Sequence, residues 1–236
     1  MRAGTITRVE ACDLRLTGEP WPFARDNAAA IDAHWAERCR ANPGYFNGAI
    51  HVMHGDGVLG DAVFTASFLQ TDFKCFLYWR ETGYPPAGAF DVFGSAIIRS
   101  AEGHVLLGRQ SRGNLNAGLA YPPGGFIDAR DVIADGAIDI AGSIVRELAE
   151  ETGLDVATLT CKPGFLVTRI GPLVSIGQEF VASQPADELR AGILARLAAE
   201  PDPELSDIVI VRQCSELEGL KVPPYAALIV TSLLDS

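Results

Sequence analysis

Hydrophobic and polar positions along the 236-residue chain recur in some stretches with a period of two and in others with a period near 3.6, and these periods mark out the elements. Alternation over residues 6–16 predicts a strand, and residues 26–41 predict a helix capped by Asp26 or Asn27 and stopped by Asn42-Pro43-Gly44. Ile31, Trp35 and Cys39 share one face of that helix. A strand over residues 49–53, a Gly-rich turn over 54–57 and an aromatic-rich segment reaching Trp79 follow. Residues 82–88, crowded with Gly and Pro, form the best linker.

Beyond the linker the rhythm changes. Strands over residues 90–98 and 104–109 flank a turn at 100–103, a hairpin signal. A Gly/Pro/Asn-rich loop covers 115–125, and residues 139–152 predict a strong helix ending at Gly153, a suitable C-terminal glycine. Strands near 158–168 and 173–182, a helix over 186–199, a strand over 207–212 and a helix near 225–234 complete the pattern. This order predicts an α/β sheet covered by helices.

Composition narrows the class. Hydrophobic residues make up 48% and charged residues 21% of the chain, enough to bury a core and too apolar for disorder. No apolar run approaches the roughly 18 residues of a membrane helix, and the first residues lack a secretory signal, so a soluble, cytoplasmic protein is expected, with no membrane partner. Nineteen basic against thirty acidic residues give a net charge of −11, which argues against a nucleic-acid polymer as partner. A small phosphorylated substrate remains compatible if a metal ion or local basic cluster offsets the repulsion. Five scattered cysteines without a Cys-x-x-Cys pair predict neither a disulfide framework nor a zinc ribbon. His51 and His54, three apart on a strand, point to opposite faces and make a poor zinc pair.

The chemistry concentrates on the helix after the long loop. Glu147, Glu150 and Glu151 fall within an arc of roughly 100°, with Val145, Leu148, Ala141 and Ala149 expected on the opposite, core-facing side. Like charges so spaced repel by about a few tenths of a kcal/mol per pair, and the helix C-terminus disfavours negative charge. A divalent cation accounts for the arrangement. Hard ions such as Mg²⁺ or Mn²⁺ take carboxylate oxygens and leave positions for phosphates. A solvated acidic face partly paired with Arg146 is the alternative.

The run Arg146-Glu147-Leu148-Ala149-Glu150-Glu151-Thr152-Gly153-Leu154, behind Pro122-Pro123-Gly124-Gly125, matches position for position the second half of the Nudix box. The chain thus resembles a Nudix hydrolase. The resemblance implies a Nudix-type α/β/α sandwich with a mixed sheet over residues 89–236 and an added N-terminal α+β extension over residues 1–88. It further implies metal ions on Glu147, Glu150 and Glu151, oriented by Arg146, with Gly124 and Gly125 allowing a tight turn beside them. The reaction implied is attack of water on the pyrophosphate of a nucleoside diphosphate linked to another group. The first half of the box departs from the family: Ile138 stands where the pattern has Glu, and an insert near residues 129–137 lengthens the loop. Asp128 or Asp139 could replace the lost carboxylate; for Asp139 a helix cap is favoured.

For the general base, Glu151 or Glu147 is the first choice and Glu179, a polar break in an apolar strand, the second. Glu204 reads as a solvated loop residue, although some relatives of the family place a catalytic glutamate in that loop. Arg109 and Arg112 are candidates to meet substrate phosphates. Tyr121 and Phe126 flank the glycine turn, for core packing or for stacking on a base. In the extension, Ile31, Trp35 and Arg38 followed by Asn42-Pro43 and Phe46-Asn47-Gly48 resemble the front part of UDP-glucose pyrophosphatase-type Nudix proteins. That resemblance implies a nucleoside diphosphate sugar such as UDP-glucose as substrate. The alternatives are an ADP-ribose-type pyrophosphatase and a catalytically silent Nudix-fold module that binds a nucleotide. A homodimer is compatible with either.

Overall fold

The computed structural model describes residues 4–235. Along the chain run β1 (Thr5–Val9), β2 (Ala11–Pro20), the short α1 (Pro22–Asp26), α2 (Ala28–Ala41), β3 (Ala49–Gly60), β4 (Val63–Asp72) and α3 (Phe73–Glu81). Next come β5 (Ala89–Arg99), β6 (Val105–Gln110), the very short β7 (Ala120–Tyr121) and α4 (Ile140–Thr152). Last are β8 (Thr160–Cys161), β9 (Phe165–Ile170), β10 (Leu173–Val181), α5 (Ala186–Leu197), β11 (Leu205–Val211) and α6 (Pro224–Leu234). The fold is mixed α/β. No helix among the described residues is long and apolar enough to cross a membrane.

The chain forms two compact units, each discontinuous in sequence. One comprises residues up to 10, 93–125 and from 141 onward; the other comprises 11–92 and 126–140. In the first unit β1 pairs antiparallel with β9 and β9 with β10, while β6 pairs antiparallel with the end of β5, with β7 and with β11. Helix α6 lays Tyr225, Ala226, Ile229, Val230 and Leu233 against Ile97, Leu107, Leu166 and Val211, which form one apolar core. Burying each such side chain stabilises the fold by roughly 1.5–3 kcal/mol relative to exposure.

In the second unit β3 pairs antiparallel with β4, and β2 joins β4 in parallel. Aromatic rings fill its centre: Trp21 meets Trp79 edge-on at 5.2 Å, and Phe126 meets Phe76 at 4.8 Å. Phe126, half-buried, packs against Phe73 and Phe76, and Tyr121, 8% exposed, belongs to the α6 core. The insert of residues 126–140 is part of this unit's backbone network. The N–H of His51 donates to the Ile127 carbonyl at 2.9 Å, and the N–H of Ile138 donates to the Leu14 carbonyl at 2.9 Å. Ile138, where the family pattern has Glu, is a 6% exposed core residue.

Two predicted elements differ in detail, and the reasons are local. The strand expected over residues 6–16 is broken by a bend at Glu10, because its first half pairs with β9 and its second with β4. The turn expected at residues 54–57 is a bulge instead. Gly55 and Gly57 take φ of +65° and +64° and shift the β3–β4 register between His54 and Val58. The chain reverses later, at Asp61 and Ala62. His51 is buried and His54 exposed, so the two do not share a face. All five cysteines are free, and burial pushes the Cys75 thiol up to about 12.

Leu148, fully buried on α4, anchors that helix. The substitution Leu148→Ala is expected to lower the unfolding free energy by about 2–5 kcal/mol in urea titrations. Phe46→Ser, at a side chain 82% exposed, is expected to change it by less than about 0.5 kcal/mol.

Candidate functional site

Helix α4 forms because Ile140, Ile144 and Leu148 recur every four residues and are all buried. Its end is well defined. Gly153 has φ of +73°, and Arg196 of α5 lies so close that a Cβ on Gly153 would overlap its side chain. The Arg196 guanidinium donates to the Glu150 carbonyl at 3.4 Å, placing positive charge at the negative helix end.

Glu147 and Glu151 are turned inward, 8% and 3% exposed, whereas Glu150 is exposed. The carboxylates were expected opposite the apolar face, but Glu151 lies within it, since seven residues past Ile144 is nearly two full turns. Ala149, expected in the core, is exposed. The loop at 122–125 explains the inversion. It is strapped along β5 by hydrogen bonds from the Ala96 N–H to the Pro123 carbonyl (2.7 Å) and from the Gly94 N–H to the Gly125 carbonyl (3.2 Å). From there the Gly124 N–H donates to Glu151 Oε1 at 2.7 Å.

The two glycines are required by space rather than by a left-handed turn. A Cβ on Gly124 would stand 2.1 Å from the Gly94 carbonyl oxygen, and one on Gly125 would stand 2.6 Å from the carboxyl carbon of Glu147. Backbone and carboxylate thus approach as closely as glycine permits.

Burial pushes the pKa of Glu151 up to about 8, and the charges of Glu204 and Glu147 act in the same direction; the Gly124 N–H and the Gln110 side chain oppose them. Glu204 is exposed on the loop before β11, as the sequence reading has it, and its charge nonetheless reaches Glu151. Its carbonyl is held by the Ser111 N–H and by Asn114 Nδ2, both at 2.9 Å. Gln110 donates to Glu151 Oε2 at 3.4 Å and accepts from Asn114 at 3.0 Å. Gln110 and Asn114 were not foreseen: a lone Gln at a strand end and an Asn in a loop carry no recognisable signal.

The other candidates fall as follows. Arg146 lies 3.6 Å from Glu147 Oε1 and donates to Ser143 at 3.4 Å, so it can orient that glutamate. Glu179 is 5% exposed and engaged by two guanidiniums, Arg8 and, at 3.6 Å, Arg99. Arg109 donates to the Gly118 carbonyl and lies 3.9 Å from Asp207, whereas Arg112 is exposed on the loop after β6. Asp128 caps a 3-10 turn through the Arg130 N–H and is gripped by the Arg130 side chain. Asp139 stands exposed just before α4.

Among the described residues no three His, Cys, Asp or Glu side chains are already drawn together as a metal-ligand set. Carboxylates repel one another until a cation joins them. The donor chemistry nonetheless fits a hard divalent ion: carboxylate oxygens, one of them desolvated with like charges beside it, and a glycine cradle that a Cβ would fill.

The NUDIX domain family matches the chain over residues 79–205. No curated protein matches it in sequence. Among solved structures, a protein of Deinococcus radiodurans is 13% identical with a TM-score of 0.48, covering 79% of this chain and 99% of its own. A Nudix hydrolase of M. smegmatis is 18% identical with a TM-score of 0.42, covering 63% of this chain and 88% of its own. A bifunctional NMN adenylyltransferase/ADP ribose pyrophosphatase of Francisella tularensis is 20% identical with a TM-score of 0.43, covering 68% of this chain and 45% of its own.

The raised pKa of Glu151 has a measurable consequence in metal-free protein. Between its ordinary 4.5 and about 8, the folded state holds a proton that the unfolded chain has released. The resulting stabilisation is complete below the lower value and is lost as pH rises through the upper one. The melting temperature is expected to fall across that window, and to fall less steeply in Glu151→Gln. Equal slopes would show that Glu151 titrates as an ordinary carboxylate.

Proposed function

The chain belongs to the Nudix family of hydrolases, whose domain spans residues 79–205, and on that footing we propose that it is a divalent-metal-dependent pyrophosphatase acting on a nucleoside diphosphate joined to a second group. The observation that carries the proposal is Glu151, buried beneath the Gly124 N–H with the charges of Glu147 and Glu204 beside it. Crowding carboxylates around an already desolvated one is unfavourable unless a cation and an anionic ligand complete the site.

In this reading Glu147, Glu150 and Glu151 hold Mg²⁺ or Mn²⁺, and Arg146 orients Glu147. A metal held there would neutralise the diphosphate and lower the pKa of an attacking water. The chain's own groups do the rest. The Gly124 N–H fixes the Glu151 carboxylate. Gly125 leaves room for Glu147. Glu204, carried on the loop before β11, takes the proton from the water. Glu204 is preferred over Glu151 and Glu147 because those carboxylates serve the metal, and over Glu179 because Arg8 and Arg99 already occupy that side chain. The exposed Arg112 meets the departing phosphate, whereas Arg109 serves the loop carbonyl of Gly118. A nucleoside diphosphate sugar such as UDP-glucose is the proposed substrate, on the strength of the Trp35 to Gly48 motif in the extension.

The experiment is turnover of a panel, UDP-glucose and ADP-ribose included, with Mg²⁺ or Mn²⁺. Two phosphorylated products are expected from the preferred substrate and none in chelator. Glu147→Gln, Glu151→Gln and Glu204→Gln are each expected to lower kcat by about 10²-fold or more. Glu179→Gln is expected to keep kcat within about threefold of wild type while lowering the melting temperature, because it removes the buried carboxylate charge that Arg8 and Arg99 engage. Tight nucleotide binding without turnover would identify a silent module instead.

A further inference from the structure

Gln110 ends β6 and is 7% exposed. Its backbone is fixed on both sides, by its N–H to the Leu119 carbonyl at 2.9 Å and by its carbonyl to the Gly118 N–H at 3.0 Å. Its side chain sits between the helix carboxylate and the loop after β6. Nε2 donates to Glu151 Oε2 at 3.4 Å, and Oε1 accepts from Asn114 Nδ2 at 3.0 Å. The same Nδ2 donates to the Glu204 carbonyl at 2.9 Å, so both hydrogens of one amide group are used.

This chain of bonds has a fixed polarity. The Glu204 carbonyl can only accept, and so can the Glu151 carboxylate once ionised as a metal ligand, so in that state Asn114 must present its amino group to the first and Gln110 its amino group to the second. The Gln110 carbonyl oxygen is then left to accept from Asn114, as observed. A glutamate at 110 would offer no donor to Glu151, and an aspartate at 114 no donor to Glu204. Only a carboxamide at each position completes the connection.

We propose that Gln110 and Asn114 are positioning residues that lock the Glu151 carboxylate and the Glu204 loop into one register. The proposal deepens the reading above and rests on it, since Glu204 is there the base and Glu151 a metal ligand. Misplacing a reacting group by about 1 Å costs on the order of 10²-fold in rate, and partners behind a metal ligand typically hold about 10–100-fold in metal affinity.

The test uses the full chain, with Mn²⁺ binding followed by electron paramagnetic resonance and turnover followed on the best substrate of the panel. Asn114→Ala and Gln110→Leu are expected to lower kcat by about 10- to 100-fold with KM changed less than about threefold, and to weaken Mn²⁺ binding about tenfold. Asn114→Ala combined with Glu204→Gln is expected to be no slower than Glu204→Gln alone. The isosteric Asn114→Asp, at a half-buried loop position, carries the same expectation for kcat should Gln110→Leu fail to fold. If wild type binds Mn²⁺ and turns over while the variants match it, or if the two losses multiply, the relay is overturned and the enzymatic reading stands. If Glu204→Gln runs at wild-type speed, the base assignment falls and the relay is judged by Mn²⁺ affinity alone. If wild type neither binds Mn²⁺ nor hydrolyses any compound, both readings fall together.

Discussion

The arrangement around α4 depends on one carboxylate kept out of water. Glu151 loses its hydration to the loop strapped along β5 and recovers part of it from a single backbone N–H. Everything nearby is shaped by that trade. Gly124 must lack a side chain to reach the carboxylate while lying on the Gly94 carbonyl, and Gly125 must lack one to clear Glu147. Leu148 and Ile144 hold the helix at the depth where Glu151 meets the loop. Arg196 closes the helix end against the negative charge gathered there. A desolvated acid beside two like charges is a costly feature for a fold to keep, and the enzymatic reading supplies a reason for keeping it.

Much of this was legible in the sequence, and what was not has physical reasons. The order of strands and helices beyond residue 88 is readable because β5, β6 and β10, buried on both faces, appear as short apolar runs, while α5 and α6 bury one stripe at helical spacing. The Arg146 to Leu154 run by itself marks the helix and its acids. Periodicity misjudged which way the acids face, because a hydrophobic pattern treats every carboxylate as solvent-seeking, whereas here a neighbouring loop covers two of them. The tight turn that the resemblance implied at Gly124 and Gly125 does not by itself explain these glycines, since the close approach to Gly94 and Glu147 arises only in the folded chain. Gln110 and Asn114 escaped notice for another reason. Their meaning arises from two loops meeting beside β6 and β11, a tertiary event with no local signature.

The front of the chain shows the same division. Trp35, Tyr45 and Phe73 cluster in one aromatic group, and Arg38 pairs with Glu81, so the residues that carried the looser resemblance also build the second unit. Asn47 donates to Asp72 and accepts from the Lys74 N–H, tying the loop before β3 to the start of α3. These residues are explained by architecture first.

The insert of residues 126–140 changes what the front segment is for. Its backbone completes hydrogen bonds with Leu14 and His51 and buries Ile127 and Ile138. A protein trimmed to start at the Gly/Pro-rich stretch would leave this insert with donors and acceptors unmatched and two isoleucines bare to water. Loop and front segment are therefore built as one piece: shortening either removes hydrogen-bond partners and cover from the other.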